Sequence, residues 1–155
     1  MFLRGQLGPC EKWMVELDVK NEMAAIERNW IKTGKMLSWN MLGSGLRVIG
    51  PKFMGSGEAE NLCLQLYTFP DLARFKEWAL GAPEHVALHT KVVNGLKAAG
   101  RPPLPAYAFH ATDDPNADIA AIRAELRQMY QAIEKMPWAG VPSGTVQLMM
   151  LGEHD

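Results

Sequence analysis

The fold of this chain is decided by the stretch LCLQLYTFPDLARFKEWALGAPEHVALHTKVV, which runs from Leu62 to Val93. Leucines alternate with other side chains at its start, which predicts a strand over residues 61–69. A proline and an aspartate then open a helix whose apolar stripe carries Phe and Trp. Gly81 breaks that helix, and Pro83 suits the first position of a second helical segment. The stretch therefore predicts a strand followed by a helix in two segments.

On the N-terminal side, the sequence predicts a strand, a helix and a second strand. WMVELDV at residues 13–19 alternates apolar and polar side chains, as a strand with one buried face does. Asn21 is a suitable N-cap for the helix that follows. The glycine-rich residues 39–60 predict a bent or bulged strand and then a hairpin-like loop.

On the C-terminal side, AYAFH at residues 106–110 predicts a short strand. Residues 113–136 repeat apolar side chains at spacings of three and four, which predicts a helix, and a last strand begins near Thr145. The order is therefore β-α-β-β-α-β with an added α-β, which predicts an α+β, ferredoxin-like fold. We expect one domain over residues 1–155, with the ferredoxin-like unit at about 11–111 and the helix-strand extension at about 112–155.

Composition limits the classes of function. The chain has 155 residues, of which 48% are hydrophobic and 21% charged, as expected for one globular domain. A net charge of −1 without a basic stripe argues against nucleic-acid binding. We find no apolar run of membrane-spanning length and no signal-peptide pattern, and two cysteines make no disulfide framework. A cytoplasmic protein without a membrane or nucleic-acid partner is the expectation.

The Leu62–Val93 stretch resembles the dimeric α/β-barrel superfamily, in particular its antibiotic-biosynthesis monooxygenases and stress-responsive barrel proteins. The similarity lies in a strand that ends in an aromatic residue, an acid-containing turn, a helix with Phe and Trp, and a small-residue break before Pro-Glu-His. An antiparallel sheet covered by helices on one face needs a partner for the other face, which a second copy supplies. The resemblance therefore implies a homodimer or higher homo-oligomer that forms a barrel.

His85 and His89 stand four residues apart and share one helix face. A neutral histidine near pH 7 can move a proton to or from a bound organic molecule, and the resemblance implies such a catalytic residue over the pocket. A divalent metal site is a second interpretation, but it needs further ligands, which His110 or His154 could supply only through folding. Ordinary helix residues are the third interpretation.

A small set of residues could hold a substrate. If the leucine face of the 61–69 strand meets the helices, Gln65 and Tyr67 point into the dimer barrel. Together with Asn40 they would orient substrate oxygens, and Trp78 and Trp30 would line the wall. The alternatives are a hydrated dimer interface for the polar groups and core packing for the tryptophans.

The resulting hypothesis is a small-molecule enzyme that uses histidine-assisted acid–base chemistry without a cofactor. It would act as a monooxygenase, cyclase or isomerase on an apolar or aromatic substrate that carries oxygens. The first alternative is a haem- or metal-binding barrel enzyme. The resemblance implies Trp78 and His89 for the haem role, although residues 13–19 lack the asparagine that this branch uses. The second alternative is a non-catalytic binding or assembly protein.

Overall fold

The computed structural model describes residues 1–9, 19–47, 61–98, 107–135 and 147–150. These residues form five strands and four helices: β1 (Phe2–Pro9), α1 (Lys20–Lys32), β2 (Ser38–Arg47), β3 (Asn61–Phe69), α2 (Leu72–Gly81), α3 (Pro83–Ala98), β4 (Tyr107–Thr112), α4 (Ile119–Glu134) and β5 (Gln147–Met150). In the part of the chain that is described, no helix has the length and apolar character needed to cross a membrane.

The strands form one sheet in the order β2-β3-β1-β4-β5. All neighbours among the first four strands of that order are antiparallel, whereas β5 runs parallel to β4. The α+β class is confirmed, and the four-stranded antiparallel sheet is compatible with a ferredoxin-like fold. Helix α4 makes the crossover that a parallel connection requires, so the C-terminal extension adds β5 beside β4.

At the N-terminal side one prediction needs correction and another lies almost wholly outside the described residues. The strand β1 at Phe2–Pro9 was not predicted, and the predicted strand over residues 13–19 lies outside the described residues except for Val19. Val19 has helical backbone angles, and its carbonyl accepts the first helical bond of α1 from the Met23 amide at 2.9 Å. The N-cap is therefore Val19, and Asn21 lies within the first turn of α1.

Other predictions hold in detail. The pairing of β2 with β3 shifts register between Gly43 and Arg47, which confirms a bulged strand. Gly34, whose conformation was not predicted, follows α1 with a φ of 73°, a left-handed conformation that suits glycine after a helix end. Asp71 caps α2, because its side chain accepts a bond from the Arg74 amide at 2.8 Å. Ala82 then has extended backbone angles, so α2 ends there and α3 begins.

Strand β3 was expected to turn its leucine face to the helices and to point Gln65 and Tyr67 into a dimer barrel. The structure shows the reverse. Gln65, Tyr67 and Phe69 are buried, and the aromatic rings among them pack against helix α2. Leu64 and Leu66 are half-buried and project from the opposite face. The helices therefore meet the face of the strand that carries Gln65 and Tyr67, because large aromatic rings fill the space under α2 better than leucines do.

The core lies between this face and the helices. Its main part joins β1, β3, α1, α2 and α4 through buried side chains: Phe2, Trp30, Met36, Tyr67, Phe69, Phe75, Trp78, Ala79, Ala82, Leu126 and Met129. A smaller cluster of Val19, Met23, Leu88 and Val92 joins α1 to α3. Strand β4 is tied to α4 by His110, whose Nε2 lies 2.9 Å from the Tyr130 hydroxyl.

Candidate active site

Several titratable and polar side chains meet between the sheet and the helices. We call this group the polar cluster, and it comprises Arg4, Glu27, Gln65, Tyr67, Trp78, His85 and His89. Its members come from β1, β3 and the first three helices. Side chains so far apart in sequence meet only in the folded chain, and such clusters are typical of functional sites.

Four side-chain rings of the cluster contact one another in sequence. The ring of Tyr67 lies 4.7 Å from that of Trp78, between centroids, and Trp78 lies 4.0 Å from His85. His85 and His89 are 4.2 Å apart in an edge-on arrangement. Helix α2 ends at Ala82, and α3 then presents its histidines next to Trp78 of α2. The spacing of four residues keeps both histidines on one helix face. Five of the predicted site residues thus come together: Gln65, Tyr67, Trp78, His85 and His89.

Both histidines are neutral at pH 7. His85 is 4% exposed, and burial, with further contributions from His89 and Arg4, lowers its pKa well below 6.5. His89 is half-buried, and burial followed by the charge of Arg4 lowers its pKa to about 4. Neutral imidazole both donates and accepts hydrogen bonds, so each ring can pass a proton without keeping it.

Glu27 is a member of the site that the sequence analysis did not identify. It is 2% exposed, and burial raises the pKa of its carboxyl group from 4.5 to about 8. The indole N–H of Trp78 and the charge of Arg4 lower this pKa, but less than burial raises it, and Glu84 adds to the rise. The carboxyl group is therefore mostly protonated at pH 7.

A signal for Glu27 was present in the sequence. On α1 it stands four residues after Met23 and three before Trp30, both of which are buried. A glutamate at a position of the apolar stripe must lose its hydration when the helix packs, and such a residue is a candidate for a perturbed carboxyl group.

Arg4 supplies the positive charge of the cluster. Its guanidinium carbon lies 5.6 Å from the ring centroids of both Tyr67 and Trp78, within cation–π range. The same charge acts on the pKa of Glu27 and of both histidines. Arg4 was missed because β1 was missed.

The Tyr67 hydroxyl donates a hydrogen bond to the side-chain carbonyl of Gln65. Burial, followed by the charge of Glu27, raises the pKa of Tyr67 above its ordinary value, while Arg4 and the nearby Trp39 indole oppose the rise. The hydroxyl therefore stays protonated at neutral pH and acts as a hydrogen-bond donor, not as a phenolate.

Two predicted site residues lie elsewhere or at the border. Asn40 is exposed and pairs with Leu66, so it projects from the opposite face of the sheet and is not brought to the polar cluster. Trp30 is buried, but its indole N–H already donates to Glu84 at 2.6 Å, and Lys35 Nζ lies 5.1 Å from its ring centroid. Trp30 can therefore offer the site its ring only.

A metal centre finds no support in the donor set. Within the described residues, no group of three or more His, Cys, Asp or Glu side chains could hold a metal ion. His110 contacts Tyr130 and Phe75 and does not join the histidine pair, and His154 lies outside the described residues. We assign no step to a divalent metal, because two clustered imidazoles do not complete its ligand set.

A comparison with known protein families, curated proteins and solved structures finds no match for this chain. The chemistry of the polar cluster is therefore the basis for assigning a function.

Proposed function

We propose that the protein is a small-molecule enzyme of the dimeric α/β-barrel type, and that the polar cluster carries out its acid–base chemistry. One observation carries the proposal: the buried carboxyl group of Glu27 lies in the same cluster as two histidines and an arginine. Burial raises the pKa of this carboxyl group to about 8. Burial of titratable groups costs free energy that an apolar core would not cost. Perturbed groups of this kind concentrate at sites of proton transfer.

The two kinds of titratable group suit different roles. Glu27, with a pKa of about 8, holds a proton at pH 7 and is more basic than an ordinary carboxylate once it loses that proton, as suits a general acid–base group. The protonated form of His85 is scarcely populated at pH 7, because burial and Arg4 lower its pKa. His85 therefore suits the role of a neutral donor, acceptor or transient proton carrier, with His89 beside it.

The rings of Tyr67 and Trp78 favour a flat, apolar or aromatic substrate. The Tyr67 hydroxyl and Gln65 can orient the substrate's oxygens. Proton abstraction, cyclisation, isomerisation and oxygenation of an enol or phenol all begin with the proton transfer that this cluster supports.

The opposite face of the sheet supports the dimer. The four helices pack on the face that carries Tyr67, whereas the opposite face carries the half-buried, apolar Leu3, Leu64, Leu66 and Phe109. In the proposed barrel a second copy covers this apolar face. Light scattering of the purified protein tests the proposal, because a monomer at all concentrations would contradict the barrel.

The test of function uses matched variants. Glu27→Gln and His85→Asn remove the two titratable groups with little change in shape, and Glu22→Gln is the control, since Glu22 is an exposed carboxylate on the same helix. Phenols, hydroxyquinones and enolisable ketones are incubated with each protein, and products and oxygen uptake are measured. We expect turnover by the wild type and the control, and a loss of roughly 10²-fold or more in both site variants.

Two results would contradict the proposed enzymatic function. Equal turnover by the wild type and both site variants would show that the polar cluster takes no part in catalysis. No turnover by any form, with variants that change only stability or assembly, would support a non-catalytic binding or assembly protein. A haem absorption band in the purified protein would favour the haem alternative.

A further inference from the structure

Three polar atoms around Tyr67 are buried and have no hydrogen-bond partner among the described residues: Glu27 Oε2, Trp39 Nε1 and Trp78 Nε1. The Trp78 indole lies near enough to Glu27 to affect its pKa, and the Trp39 indole affects Tyr67 in the same way, yet neither contact has hydrogen-bond geometry. Buried polar atoms without a partner are rare in folded proteins, and three in one cluster need a common explanation.

The three atoms come from α1, β2 and α2, and each of the three residues interacts with Tyr67. Trp39 is the cross-strand neighbour of Tyr67, and the Trp78 ring lies 4.7 Å from the Tyr67 ring. Glu27 and Trp78 are 2% and 4% exposed, so neither polar atom can turn to bulk water. An indole N–H only donates, so the missing partner of each tryptophan must be an acceptor.

We propose that Trp39, Trp78 and Glu27 bind the oxygen atoms of the substrate, and that the substrate is a planar organic molecule with a carbonyl or phenol oxygen. The indole N–H groups donate to that oxygen, and the Glu27 carboxyl group bonds to a neighbouring hydroxyl or carbonyl. Arg4, 5.6 Å from the Trp78 ring centroid, favours negative charge on an oxygen held there. This inference rests on the proposed function and names its substrate class.

The test records indole N–H signals by nuclear magnetic resonance after ¹⁵N-tryptophan labelling. Five tryptophans give the signals, and single Trp→Phe variants assign them. Trp30 is the internal control, because its N–H already donates to Glu84. The probes are 1-indanone and 1-naphthol, with indane and naphthalene as oxygen-free counterparts.

We expect the oxygen-bearing probes to shift the Trp39 and Trp78 signals and to leave the Trp30 signal in place. Trp39→Phe and Trp78→Phe each remove one N–H donor and should each weaken binding of these probes by up to about tenfold, the effect of one hydrogen bond. Equal binding of oxygen-bearing and oxygen-free probes would overturn the inference. Equal shifts at Trp30, or signals that respond to none of the probes up to their solubility, would also overturn it.

Binding without turnover separates this inference from the proposed function. If the probes shift Trp39 and Trp78 but turnover does not depend on His85 or Glu27, the oxygen site exists in a protein without the proposed chemistry. If turnover depends on both residues but the indole signals respond equally to oxygen-bearing and oxygen-free probes, the proposed function is supported and the oxygen-binding site is refuted. His85→Asn should abolish turnover while keeping the indole shifts if both are correct.

Discussion

Replacing Glu27 with glutamine should stabilise the protein at neutral and alkaline pH, and the gain should grow as the pH rises. In the folded state burial raises the pKa of the carboxyl group from 4.5 to about 8. The folded state therefore binds this proton more tightly than the unfolded state does. The contribution of Glu27 to stability is complete below the unfolded pKa and is lost as the pH rises through the folded pKa.

The size of the effect follows from the two pKa values. Each unit of pKa difference corresponds to about 1.4 kcal/mol, so the free energy of unfolding should fall by about 4 kcal/mol between pH 4.5 and pH 8 through this group alone. Glutamine has nearly the same shape and no such titration. His85 and His89 have lowered pKa values and therefore reduce stability as the pH falls below 6.5, in the wild type and the variant alike. The difference between the two proteins isolates Glu27.

Urea unfolding followed by tryptophan fluorescence, at several values between pH 5 and pH 8, measures this difference. We expect Glu27→Gln to gain several kcal/mol relative to the wild type across that range. Glu22→Gln is the control and should show no growing gain, because Glu22 is exposed and pairs with Lys91 at the surface. A difference that does not change with pH would show that Glu27 has an ordinary pKa in the folded protein. A variant less stable than the wild type at pH 8 would also contradict the expected gain.

Three further substitutions test the packing. Gly5→Ala should cost roughly 1–3 kcal/mol in urea unfolding, because its Cβ would lie 2.0 Å from a Phe109 ring atom; an unchanged midpoint would refute the close approach. Tyr130→Phe removes the bond to His110 and should cost about 1 kcal/mol and reduce hydrogen-exchange protection of α4, so full protection would contradict it. Asp118→Ala should cost about 1 kcal/mol through the lost cap of α4, whereas Asp118→Asn should keep most of it; equal stability of both would argue against the cap.

The elements with clear periodicity were predictable. The alternation of β3, the Asp71 cap, the break before Pro83 and the apolar repeat of α4 are local signals, and the structure confirms each. Strand β1 was not predictable in the same way. Its sequence FLRGQLGP contains two glycines and a proline, and its place between β3 and β4 depends on pairing with residues far along the chain.

The candidate site was predictable in part. His85, His89, Trp78, Tyr67 and Gln65 come together, but on the helix side of the sheet and not in the predicted dimer barrel. Alternation divides β3 into two faces, but it cannot say which face the helices cover, since that depends on how aromatic rings pack across elements. The same gap explains why Asn40 was placed with these residues although it lies across the sheet.

We infer that the polar cluster keeps a carboxylic acid protonated and a histidine neutral at pH 7. Nuclear magnetic resonance titration of protein labelled with ¹³C at glutamate carboxyl groups and ¹⁵N at histidine rings measures both states directly, with Glu27→Gln and His85→Asn to assign the signals. We expect Glu27 to titrate near pH 8 and His85 to stay neutral well below pH 6.5. A Glu27 signal that titrates near pH 4.5, with a His85 signal near pH 6.5, would contradict it.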